Sequence, residues 1–160
     1  MYIKDFEIRW SDVDANKHLA NSAYVNFMGH TRMSFFKDVG GLSLQDFNKL
    51  HLAPVVLYEH IYYFQEVYLG EPVKVSLELT GLSEEGKFFE YLHNFYDAKG
   101  KNLAHGEMLG AWIDSKTRKL APLPEDIMCK FQHMDKAATY RTLTKQDTRR
   151  YNKRPIDLKL

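Results

Sequence analysis

The spacing of apolar positions changes period along the chain, and each change marks a boundary between kinds of element. Over residues 2–10, Tyr2, Phe6, Ile8 and Trp10 interleave with Lys4, Glu7 and Arg9, which predicts a first strand. The polar stretch 11–20 predicts a loop. From 22 to 39 the spacing lengthens: Tyr24, Phe27, Met28, Thr31, Phe35 and Val39 recur every three or four residues on one face of a helix. Asn26, His30, Lys37 and Asp38 fall largely elsewhere. Asn21 or Ser22 is placed to cap that helix, and Gly40-Gly41 to end it. Ser43 and Asp46 have capping-box spacing for a short helix over 43–50.

From residue 53 the period is two. Residues 55–69 predict a long or bent strand, closed by a turn at Gly70-Glu71-Pro72. Val73, Val75, Leu77 and Leu79 alternate with Lys74, Ser76 and Glu78 as a half-buried strand. Glu84-Glu85-Gly86-Lys87 turns into a strand over 88–96, with Phe89, Tyr91, His93 and Phe95 on one face. Residues 97–101 turn again into a last strand over 103–113. Its Ala104, Gly106, Gly110 and Ala111 permit close approach of another backbone. Pro122 and Pro124 break the pattern before a short helix near 125–136, and 139–160 carries many charges and few apolar residues. The expected organisation is one domain over 1–137 and a charged, poorly packed tail over 138–160. Strands joined by short turns call for an antiparallel meander, and a sheet with one apolar face must bury a helix with one apolar stripe. The class is α+β: one long central helix wrapped by a curved antiparallel sheet of about five strands.

Composition narrows the function. The chain has 160 residues, 44% hydrophobic and 14% aromatic, enough for a core without disulfides and for an apolar pocket. A net charge of +1 gives no electrostatic case for nucleic acid or a membrane surface. Cys129, the single cysteine, excludes an internal disulfide. No apolar run approaches the ~18 residues of a membrane span. Met1-Tyr2-Ile3-Lys4-Asp5 has neither a basic leader nor an apolar core, so no signal peptide is read and the expected compartment is the cytoplasm.

The densest chemistry lies in residues 9–24, where Asp12, Asp14, Asn16, His18 and Asn21 crowd the approach to the long helix. A carboxylate beside free backbone N–H groups at a helix start suits proton transfer and anion stabilisation. Asp12 is read as structural, Arg9 as a salt-bridge partner, and Trp10 and Tyr24 as core or pocket wall. His93, His105 and Glu107 are explained by strand faces, and no metal site is expected.

The run Arg9-Trp10-x-Asp12-x-Asp14-Ala15-Asn16-x-His18-x-x-Asn21-x-x-Tyr24 resembles the signature of hotdog-fold thioesterases of the 4-hydroxybenzoyl-CoA thioesterase type. It is also similar to the Asp-x-Asn-x-His stretch of the fatty acyl-ACP thioesterases. The resemblance covers roughly residues 3–115 and implies a hotdog fold. It implies Asp14 as the catalytic carboxylate, with Asn16 and His18 completing a polar trio. The backbone N–H of Asn21, at the helix start, becomes the donor to the thioester oxygen. Glu59 and Tyr24 are further candidates, Glu59 across a subunit boundary. Asn16 and His18 are polar where many CoA-type relatives carry glycine and an apolar residue, which keeps both carriers open. The implied reaction is hydrolysis of an acyl-CoA or acyl-ACP thioester, fatty or aromatic. It needs no cofactor, since CoA is part of the substrate, and the implied assembly is a homodimer or homotetramer. A non-catalytic acyl-thioester-binding module and a 3-hydroxyacyl dehydratase on the same fold are the alternatives, with a cystatin-like binding domain as a different fold.

Overall fold

A computed structural model describes residues 1–158. Strand β1 (Tyr2–Phe6) is followed by a 3-10 turn at Trp10–Asp12, helix α1 (Asn21–Asp38) and helix α2 (Leu44–Lys49). Then come β2 (Leu52–Tyr63), β3 (Val73–Ser83), β4 (Phe88–Tyr96), β5 (Asn102–Asp114), α3 (Glu125–Gln132) and β6 (Lys136–Leu143). The sheet curves around α1 in the order β1-β3-β4-β5-β2, every pair antiparallel, and β6 adds to β3 in parallel. This is the hotdog arrangement, with six strands where about five were expected.

Helix α1 buries Tyr24, Phe27, Met28, Thr31 and Phe35, the face its spacing predicts. It ends one residue before Val39, which is exposed. The N–H groups of Val39 and Gly40 return to the Phe35 carbonyl, and Gly41 takes a left-handed φ of 62°. A Cβ on Gly40 would sit 2.7 Å from the Phe36 carbonyl oxygen, so the stop requires glycine there. Two apolar clusters flank the helix. Phe35, Phe36, Trp112 and Phe131 anchor one at its C-terminal half. Leu19, Tyr24, Phe27, Val67 and Phe95 form the other, under the 11–20 loop.

The small residues of β5 have separate uses. A Cβ on Gly106 would collide with Met28 Sδ of α1, so glycine lets the helix settle onto the strand. A Cβ on Gly110 would meet the Phe89 ring at 2.5 Å and the Val55 carbonyl oxygen at 3.0 Å, so it keeps β2 close to β5.

Four expectations are corrected. The strand over 2–10 stops at Phe6, and Trp10 is 80% exposed instead of lining the core. The expected 55–69 strand ends at Tyr63, because the N–H groups of Phe64 and Gln65 both turn to the Leu103 carbonyl and lead the chain out of the sheet. The Gly70-Glu71-Pro72 turn therefore closes no hairpin. Strand β2 pairs with β5 at the far edge, and the meander holds only for β3–β4–β5. Finally, of the expected tail over 138–160, whose last two residues lie outside the described ones, residues 138–158 are not simply a surface tail. Strand β6 runs along Leu79–Ser83, with Leu143 buried against Gly81, whose absent Cβ would clash with it at 2.6 Å.

Beyond β6 the chain remains pinned. Arg141 and Arg150 reach the buried Glu90 carboxylate at 3.5 and 2.9 Å, and the Tyr151 ring packs on Tyr58 and His60 of β2. Truncation after residue 137 is expected to lower stability by at least about 3 kcal/mol: it removes a buried leucine and strands a buried carboxylate. Urea unfolding of the 1–137 chain checks this. An unchanged midpoint would restore the reading of 138–160 as a tail.

Candidate active site

The loop before α1 is built by its own side chains. Asp12 accepts from the Arg9 backbone N–H, Nε and Nη2, each at 2.9 Å, closing the 3-10 turn. These bonds to Arg9 hold the Asp12 carboxyl below the usual carboxylate range. Asp12 is thus structural and Arg9 its partner, as read from sequence. The Asp12 carbonyl then accepts from Ala20 N–H at 2.8 Å, which sets where the helix begins.

Asp14 organises the next turn. Its Oδ1 accepts from the backbone N–H of Asn16 at 2.8 Å and of His18 at 3.1 Å, while Lys17 takes a left-handed φ of 65°. Among the described residues Oδ2 has no partner. The carboxylate is fixed by one oxygen and offers the other.

Helix α1 starts without a side-chain cap. Ala20 occupies the capping position and has no oxygen to give, so the expected cap from Asn21 or Ser22 does not form: both lie inside the first turn. The backbone N–H groups of Asn21 and Ser22 have no acceptor within the helix.

Residues 63–67 complete the site. Leu19 N–H donates to the Val67 carbonyl at 2.7 Å, and His18 forms an isolated bridge with Tyr68. The result is an open groove of about 270 Å³ whose lining includes Asp14, His18, Asn21, Tyr24, Tyr63 and Glu66. No lysine or arginine lines it. Tyr24 is buried edge-on to Tyr63, ring centroids 5.0 Å apart, and burial followed by Tyr63 pushes its hydroxyl up to about 12. It stays protonated at neutral pH and serves as a wall. The His18 ring stands edge-on to Tyr68, with Nε2 3.8 Å from Glu66 Oε2, and Tyr68 donates to the same carboxylate oxygen at 2.6 Å.

Four of the six sequence candidates, Asp14, His18, Asn21 and Tyr24, therefore share one groove. Asn16 is exposed and contributes its backbone N–H, with its side chain outside the lining. Glu59 lies elsewhere, on the α1–β2 seam, with Oε1 3.4 Å from Arg32 Nη2. The aromatic run Tyr62-Tyr63-Phe64 at the end of β2 was the sequence signal for the wall that arrives from outside the motif.

The family model of the thioesterase-like superfamily matches residues 8–131, from just before the loop to α3. The chain belongs to the thioesterase-like superfamily. The L-carnitine dehydrogenase/betainyl-CoA thioesterase of Rhizobium meliloti (strain 1021) is 26% identical over 131 residues. That match covers 80% of this chain and 25% of the relative, so the chain spans about a quarter of the protein it resembles. Solved structures share the fold, two of them as follows. A Staphylococcus aureus protein in complex with CoA superposes with a TM-score of 0.76 at 20% identity, covering 99% of this chain and 95% of that one. The 1,4-dihydroxy-2-naphthoyl-CoA thioesterase from Synechocystis gives 0.73 at 19% identity, covering 82% of this chain and 96% of that one. Among the described residues no helix is long and apolar enough to cross a membrane, and no group of three or more His, Cys, Asp or Glu side chains could hold a metal ion.

One feature of this thioesterase-like fold lay outside the sequence reading. Arg32 Nη1 is 3.3 Å from His93 Nε2, and His93 Nδ1 is 2.9 Å from the Ser76 carbonyl. A carbonyl only accepts, so Nδ1 carries the proton and Nε2 accepts from Arg32. Burial, and then the Arg32 charge, hold His93 down to about 3. Between that value and the ordinary 6.5 the unfolded chain binds a proton that the folded one refuses. The stabilisation is complete above pH 6.5 and is lost as pH falls from there toward about 3, with a slope approaching about 1.4 kcal/mol per unit. Replacing His93 with Gln, which still offers Arg32 an acceptor, is expected to flatten urea-derived stability between pH 6.5 and about 5. An identical slope in the variant would remove His93 as its source.

Proposed function

We propose that this protein hydrolyses the thioester of an acyl-CoA, releasing the free acid and CoA. The observation that carries the reading is the half-engaged Asp14 carboxylate, in one groove with the uncapped start of α1. Thioester hydrolysis needs a base for water and donors for the oxygen that becomes charged. Asp14 Oδ2 takes a proton from water as the oxygen of that water adds to the thioester carbon. The backbone N–H of Asn21, at the positive end of the α1 dipole, receives the oxyanion. The intermediate collapses by breaking the C–S bond, and the sulfur leaves with the proton from Asp14. His18 orients the water from the same wall. Neither the Asn16 side chain nor Glu59 enters these steps, and none of them calls for a metal or redox cofactor.

CoA is the favoured carrier because the betainyl-CoA and 1,4-dihydroxy-2-naphthoyl-CoA thioesterases among the similar proteins differ in acyl group and agree on the CoA thioester. Asp14→Asn keeps an Oδ1 acceptor for the Asn16 and His18 N–H groups and loses the base. It is expected to lower kcat by about 10²–10⁴ with an unchanged thermal midpoint. Free-thiol release from a panel of acyl chains on CoA and on acyl-carrier protein measures it. Acyl-CoA binding without thiol release by the wild type would instead mean a binding module.

We also propose that the protein is a homodimer joined along β2. One side of β3 is shared by the short β1 over Val73–Leu77 and by β6 over Leu79–Ser83, while at the far side of the sheet the twelve-residue β2 presents one long, continuous open edge. That edge exposes Val56, Leu57, Tyr62 and Tyr63, and Leu57 is the extra residue of a bulge opposite β5. Two such edges related by a two-fold axis cover each other. Leu57→Lys is expected to shift sedimentation from dimer to monomer; a wild type that sediments as a monomer at micromolar concentration would overturn the assembly.

A further inference from the structure

A second cavity, of about 190 Å³, lies between α1 and the first half of β2. Phe36, Val55 and Met108 give it apolar walls, and Gly29, Arg32 and Tyr91 also line it. It shares the α1–β2 seam with the Asp14 groove: Tyr24 meets Tyr63 at one end of that seam and Arg32 meets Glu59 further along.

Three features of this cavity are unaccounted for by folding. Glycine inside a helix costs about 0.5–1 kcal/mol relative to alanine. At Gly29 nothing requires it, because a Cβ would meet only Arg32 Nη2, at an ordinary 3.7 Å. The missing side chain does nothing for helix packing and keeps the cavity open. Secondly, the Arg32 guanidinium, on a half-buried side chain, has five N–H donors. One goes to His93 and one, at 3.4 Å, to Glu59, which leaves three without a partner among the described residues. Thirdly, the Tyr91 hydroxyl has no hydrogen-bond partner although the residue is only 1% exposed. A buried hydroxyl is normally satisfied, so the unpartnered Tyr91 hydroxyl, in the wall of a cavity that Arg32 also lines, points to a ligand atom that completes it.

We infer that this cavity receives the far end of the acyl group, and that Arg32 and Tyr91 select an end carrying a neutral oxygen acceptor, a hydroxyl or a carbonyl. The inference rests on the acyl-CoA reading above. Glu59 offsets the Arg32 charge, which favours a neutral oxygen over a carboxylate. From Asn21 to Gly29 and Arg32 is eight to eleven helical residues, about 12–16 Å at ~1.5 Å per residue, the reach of a medium-chain acyl group. A cavity of ~150 Å³ holds a benzene ring, so the space accommodates the last few carbons and one oxygen.

Thiol release from butyryl-CoA, decanoyl-CoA and ω-hydroxydecanoyl-CoA tests this in the full chain. The wild type is expected to favour the ω-hydroxy chain over decanoyl by about tenfold in kcat/KM, the worth of one buried charge-assisted hydrogen bond. Tyr91→Phe, which loses only an unpartnered hydroxyl and should fold normally, reduces that ratio. Gly29→Leu raises KM for both long chains about tenfold, while butyryl-CoA, too short to reach the cavity, is turned over as before. Equal wild-type values for the two long chains would overturn the selection of oxygen, as would a ratio untouched by Tyr91→Phe. A Gly29→Leu protein that changes oligomeric state, or slows butyryl-CoA equally, would mean that the glycine serves packing between subunits and overturn the cavity assignment. Thiol release from none of the three would be a failure of the thioesterase reading itself, and this inference would fall with it.

Discussion

The backbone donors at the start of α1 are taken by no side chain, and the site is arranged around that fact. A serine or asparagine at the capping position would gain about 0.5–2 kcal/mol. Here Ala20 occupies that position, and Asn21 and Ser22 follow it, too late to help. The helix forms because its inner face is anchored elsewhere: Ala23, Tyr24 and Phe27 enter the cluster that also holds Leu19 and Val67. Packing replaces the cap and leaves the donors free for an incoming oxygen. Asp14 is free in the same sense, since its own turn consumes one oxygen and leaves the other. A site with unmet hydrogen-bonding capacity at its centre is the arrangement that a charged transition state can complete.

What the sequence shows clearly is what local spacing controls. The face of α1, the capping box at Ser43 and Asp46, and the β3–β4–β5 hairpins all follow from period and turn chemistry. Position in the sheet is a different matter. Strand β2 could not be placed beside β5 from its own residues, because its partner lies about fifty residues further on and the break after Tyr63 depends on a carbonyl of β5. Strand β6 was hidden for a related reason: only its Ala137 and Leu143 are buried, so it carries no alternation, and parallel pairing supplies no turn signal. The site divides the same way. Asp14, His18, Asn21 and Tyr24 are adjacent in the chain and legible together, whereas the Tyr63–Val67 wall is brought in by tertiary contact. Trp10 was misplaced because alternation continues through it after the strand has ended at Phe6.

The Arg32 cluster sets polar and charged groups between the helix and the sheet. One residue from each of α1, β2, β4 and β3 meets there: Arg32, Glu59, His93 and the Ser76 carbonyl. An apolar set of similar volume would be no less stable by ordinary accounting, since desolvation offsets most of the attraction in a buried ion pair. What the polar set supplies is position. It ties the middle of the helix to three strands with directional bonds, and a helix shifted by one turn would part Arg32 from both Glu59 and His93 Nε2.

That position has a consequence for the open edge. The helix residues Val25, Gly29 and Met33, four apart, form a stripe beside β2, with Val25 and Met33 exposed, while the edge strand exposes Val56 and Leu57. Burial of such a stripe and edge together removes unpaired strand groups and apolar surface in one step. The seam between α1 and β2 would then be walled on its open side by a second copy. The groove at Asp14 and the cavity at Gly29 would become two ends of one enclosed channel. In that arrangement an exposed edge that would be a liability in an isolated chain becomes the missing wall of the substrate site.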